Sequence, residues 1–99
     1  MPTYLVTLKL APGPTAAARH ASVVEQLPAG EWWAETGSTI VVNDAADIAD
    51  FCRRIFERST FDARVDMAVV FDLESRDARA RGPFIDYGLF TIVPWLKWF

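Results

Sequence analysis

The sequence predicts an α+β sandwich in which a four-stranded antiparallel sheet carries two helices on one face. Three observations predict it. Residues 3–10 and 64–73 alternate between apolar and polar or small side chains. Residues 15–27 and 44–58 carry apolar stripes at helical spacing. A Thr36-Gly37 turn separates two short strand-like runs. The order is therefore strand, helix, strand, strand, helix, strand: the split βαβ unit doubled, a ferredoxin-like βαββαβ arrangement.

The first strand runs Thr3 to Leu10, with Tyr4, Val6, Leu8 and Leu10 on one face and Leu5, Thr7 and Lys9 on the other. Ala11-Pro12-Gly13-Pro14 ends it, and Thr15 caps a helix to about Leu27 whose stripe is Ala16, His20, Val23, Val24 and Leu27. Trp32 to Glu35 and Ser38 to Asn43 form a hairpin, because Gly37 supplies the positive φ of a tight turn. Asp44 is the expected cap of the second helix, which buries Ile48, Phe51, Cys52, Ile55 and Phe56. Acids at its start and arginines at its end complement the helix dipole.

In the last strand of the unit, Val65, Met67, Val69, Phe71 and Leu73 are expected to face the helices, leaving Asp66, Ala68, Val70 and Asp72 on the open face. Three parts follow: a ferredoxin-like domain over 1–74, a polar linker over 75–82 carrying Arg76, Arg79 and Arg81, and an aromatic tail or extra strand over 83–99. The tail is apolar on both sides of its alternation, so it belongs against its own domain or against a partner subunit.

Composition narrows the function classes. The chain has 99 residues, 52% hydrophobic, with a formal net charge of -3. One Cys and one His exclude a disulfide framework and a structural zinc site. The acidity disfavours non-specific binding to a nucleic-acid backbone. The N-terminus runs directly into a strand pattern, so a cytoplasmic protein is expected, with no membrane span.

Candidate chemistry is sparse, and an activity of its own is not indicated. His20 reads as a partly buried histidine and Cys52 as a buried thiol. Asp66 and Asp72 are weak metal candidates: carboxylates from two subunits meeting across an axis would suit Mg²⁺, whereas solvated strand-end acids are the plainer reading. No other cofactor is implied. Of Trp32 and Trp33, one is expected in the core and one in an interface. Leaving Leu5, Val41 and Val70 in water would expose a contact surface, so a homodimer is expected. Its interface would hold those three with Tyr87, Phe90, Trp95, Trp98 and Phe99 of the tail.

Tyr4 to Leu10, Trp32-Trp33 before Ser38 to Val42, and Met67 to Phe71 together resemble small bacterial ferredoxin-like proteins labelled SinR-like, which in turn resemble the small dimeric subunit of the CRISPR adaptation complex. The resemblance implies a homodimer whose C-terminal strand can cross to the partner. In the CRISPR relatives an acidic residue ending the first strand is implicated in metal-dependent nuclease activity, and Lys9 stands at that place here. A cation cannot ligate Mg²⁺. The leading expectation is a non-enzymatic homodimer that binds a protein or nucleic-acid partner. Two alternatives are a divergent metal-dependent nuclease using Asp66 and Asp72, and a dimeric α+β barrel enzyme with a cavity lined by Tyr4, Trp33 and Phe71.

Overall fold

The computed structural model describes residues 1–99. The protein is α+β, with a six-stranded mixed sheet and three helices. The strands are β1 (Thr3–Lys9), β2 (Trp32–Trp33), β3 (Thr39–Asn43), β4 (Met67–Asp72), β5 (Ala78–Arg81) and β6 (Leu96–Trp98). The helices are α1 (Ala16–Val24), α2 (Ile48–Glu57) and α3 (Gly88–Ile92). The sheet order is β2-β3-β1-β4-β5-β6, antiparallel throughout except for the parallel β5–β6 pair. No helix is long and apolar enough to cross a membrane.

β1 sits between β3 and β4, and its alternation decides both faces. Tyr4, Val6 and Leu8 are buried beneath α1 and α2, whereas Leu5 and Thr7 are half-buried on the opposite face. Residues directly across an antiparallel ladder share a face. Val6 lies opposite Val70 and Leu8 opposite Ala68, so Ala68 and Val70 belong to the helix-side core. This reverses the assignment expected from the sequence: Val69 and Phe71 face away from the helices, and Val70 is fully buried among them rather than at a contact surface. The reason is that the second face is itself covered over β4 and β5, so its bulkier residues have apolar partners there.

Residues 75–82 are not a linker. They contain β5, in which Ala78 and Ala80 alternate with Arg79 and Arg81. The alanines are fully buried on the second face, where small side chains let the tail approach the sheet. The arginines turn to the helix side: Arg79 pairs with Asp77, and Arg81 lies 5.7 Å from the Phe99 ring centroid and donates to the Phe99 carbonyl at 3.0 Å. Their aliphatic stems cover apolar surface while their heads find partners, so a strand is compatible with this charge density.

The tail folds back on its own sheet. Phe84, Leu89, Phe90 and Val93 pack on Val69, Ala78, Ala80 and Leu96. Alternation along β6 sends Trp98 to this second face, while the next residue, Phe99, joins the helix-side core against Phe56 at 5.5 Å. The start of α2 also differs by one cap. Asp47, not Asp44, accepts the Asp50 amide at 2.9 Å. Asp44 is nearly buried, accepts from the Ala46 amide at 3.0 Å and pairs with Arg54.

Gly82 makes the tail's path possible. Its φ is +116°, and a Cβ there would lie 2.2 Å from the Asp66 carbonyl oxygen and 2.8 Å from the Met67 Cα. Gly82→Ala should therefore lower the unfolding free energy by about 2 kcal/mol or more. Urea denaturation measures this as a lower midpoint at unchanged slope; a wild-type midpoint would contradict the close approach.

Candidate functional site

The second face of the sheet is where the structure leaves apolar groups in solvent. Cross-strand pairing builds it in rows. One row runs Trp33, Val41, Leu5, Phe71, Ala78, Leu96 across all six strands. The next runs Thr39, Thr7, Val69, Ala80, Trp98. The tail covers the β4–β5–β6 end of these rows and leaves the β2–β3–β1 end open. Trp33 is 46% exposed, and Leu5, Val41 and Phe71 are half-buried. The result is an apolar floor walled on one side by the tail.

The residues singled out from the sequence fall into separate places. Leu5 and Val41 lie together on the open floor. Tyr87, Phe90 and Trp98 form one aromatic cluster with Phe84 on the tail, with ring centroids 4.8–6.5 Å apart. Trp95 sits apart from them, with the Arg76 guanidinium 5.5 Å from its ring centroid. Neither Trp32 nor Trp33 is buried. They form a two-residue edge strand at the margin of the sheet, pointing to opposite faces.

Tyr4, Trp33 and Phe71 do not share a cavity. Tyr4 is on the helix side, stacked on Phe51 at 4.5 Å, and donates its hydroxyl hydrogen bond to the Ala46 carbonyl at 2.7 Å. Burial, with Asp72 nearby, pushes its phenol up to about 12. Trp33 and Phe71 are on the opposite face. His20 ties α1 to the hairpin through Nε2, 3.1 Å from the Gly37 carbonyl. Cys52 is fully buried, and burial pushes its thiol up to about 12, a state unsuited to nucleophilic attack.

Asp66 differs most from expectation. It is fully buried rather than solvated. Its carboxylate accepts from the Ala11 amide at 2.8 Å, the Asp62 amide at 3.0 Å and Arg19 Nε at 2.9 Å, while Arg19 Nη2 also donates to the Ala11 carbonyl at 2.7 Å. This node clamps the end of β1, helix α1 and the turn before β4. Asp72 lies at the other end of β4, about 20 Å away at strand rise, where it accepts the Glu74 amide at 2.9 Å. The two carboxylates do not converge within one chain. The sequence carries no local sign of the Arg19–Asp66 pair, because its members are 47 residues apart.

Burial raises the Asp66 pKa, but the Asp62 amide, Arg19 and the Ala11 amide outweigh it and hold the carboxyl below its ordinary 3.8. A depressed folded-state pKa contributes stability that is present above the unfolded value and lost as pH falls through the folded one. Asp66→Asn should cost about 3 kcal/mol at neutral pH and should flatten the loss of stability below pH 4, read from urea melts across an acid series. An unchanged acid slope would contradict the assignment.

Comparison with family models, with curated proteins and with solved structures returns no match to this chain.

Proposed function

We propose that this protein is a homodimeric ferredoxin-like binding module whose subunits associate through the open half of the second sheet face. The observation that carries the reading is the apolar floor of Leu5, Val41, Phe71 and Trp33 beside the protein's own tail. Contiguous exposed apolar surface rimmed by polar residues is characteristic of a contact site. The order β2-β3-β1-β4, with α1 and α2 both on one face, supports the ferredoxin-like description, with β5, α3 and β6 added to it.

The same chain also offers a ridge for that floor. Ile92 is 77% exposed on the outer side of the tail, and Tyr87 is 60% exposed. A two-fold axis beside the tail would set each copy's ridge on the other's floor, the self-complementary arrangement an isologous dimer requires. The resemblance to the dimeric CRISPR adaptation subunit agrees with a dimeric scaffold, and Lys9 at the place of its acidic residue agrees with a role in binding rather than phosphodiester cleavage. A net charge of -3 favours a protein partner over a nucleic-acid backbone.

Light scattering after size exclusion should give twice the 11.1 kDa chain mass at micromolar concentration. Leu5→Glu with Val41→Glu, on a surface outside the main core, should return the monomer with its circular dichroism intact. A wild-type monomer, or a dimer indifferent to both substitutions, would refute the reading.

A further inference from the structure

A second feature of this face lies at the opposite end of β1. The close approach of Gly82 to Asp66 and Met67 brings the chain down onto the sheet, and Phe84 then roofs the ends of β1 and β4. Beneath it is a cleft of about 220 Å³ with Thr7, Met67 and Val69 in its floor and Lys9 at its mouth. The cleft is below the size of sites that take drug-sized molecules, about 300 Å³ and upward. Its occupant is therefore small.

The charges around it are unequal. Lys9 is the one charged residue that the strands place on the second face. None of the five ion pairs in the chain uses it. Asp66, the residue before Lys9's cross-strand partner Met67, is buried on the other side of the sheet and already neutralised by Arg19. An exposed ammonium without a carboxylate beside it, at the mouth of an apolar cleft, is complementary to one negative charge attached to an apolar body. The Thr7 side chain adds a hydroxyl donor two residues along the same face. A phosphate ester fits less well, because a single lysine supplies one point charge where phosphate sites gather several donors.

We propose that the cleft between Phe84 and the ends of β1 and β4 binds a small monocarboxylate, with its head at Lys9 and Thr7 and its apolar body under Phe84 against Met67 and Val69. This site does not rest on self-association: a monomer would present the same cleft.

The test is a titration of the full-length, ¹⁵N-labelled chain with octanoate, followed by amide shifts. Saturable shifts should centre on Thr7, Lys9, Met67 and Val69, with a dissociation constant on the order of 1 mM, as about ten non-hydrogen atoms at ordinary ligand efficiency allow. Lys9→Gln should weaken binding about fivefold, the loss of one charge-assisted contact at an exposed site, and Lys9→Arg should restore it. Octanamide, of the same length without the charge, should bind the wild type as weakly as octanoate binds Lys9→Gln. Failure to saturate, equal binding of octanoate and octanamide, or shifts confined to Trp33 and Val41 would each overturn the proposal. Size exclusion on the same samples reports separately on the dimer.

Discussion

The position of β1 between β3 and β4 is the constraint from which the rest follows. Tyr4 to Thr7 are paired on both sides, so the alternation of β1 is imposed on both neighbours. A one-residue slip would send Tyr4, Val6 and Leu8 to the wrong face, along with everything opposite them. Because the register holds, one face is committed to α1 and α2 and the other to whatever the remaining chain can supply. The Arg19–Asp66 node secures this arrangement at the strand's end, where Ala11 leaves β1 and the turn before β4 arrives. Breaking a buried pair of this kind leaves a charge with no solvent and no partner, so the node is costly to disturb.

The parts of the fold legible in the sequence were those whose pattern is local. β1, β3 and α2 announce themselves by period, since each buries one side only. β4 is legible as a strand but its facing is not, because both of its faces are covered and a two-sided apolar run has no outward sign. β5 was hidden by its arginines, whose charge reads as solvent exposure although their stems lie on the protein. The separation of Asp66 from Asp72, and the partnership of Asp66 with Arg19, depended on distant pairing that no local window contains. The open floor is half visible in the sequence: the alternation of β1 and β3 puts Leu5 and Val41 on it, whereas nothing local puts Phe71 and Trp33 beside them.

The tail gives the second face two characters. Over β4 and β5 it closes a small core on two alanines; toward β2 it stops and leaves a shallow apolar surface edged by threonines. At one end of the open region is a single cation beside the cleft that Phe84 lines, and at the other an exposed tryptophan. The helix α3 that spans the cover is five residues long and buries none of them fully, so the cover is held by the flanking Phe84, Leu96 and Trp98 more than by its middle. The half-buried apolar floor therefore lies on one side of the sheet, while the other side is given over to packing under α1 and α2.

The two ends of that sheet carry a separate consequence. β2 has two residues and β6 has three. Neither offers enough consecutive free amides and carbonyls to template a further strand; β2 consists of two bulky tryptophans, and β6 runs from beside Trp95 to Trp98. A molecule with so much apolar surface on its face would be prone to fibrous growth if its edges were long. Here lateral growth by strand addition is stunted at both margins, so crowding at high concentration does not readily extend the sheet into ribbons.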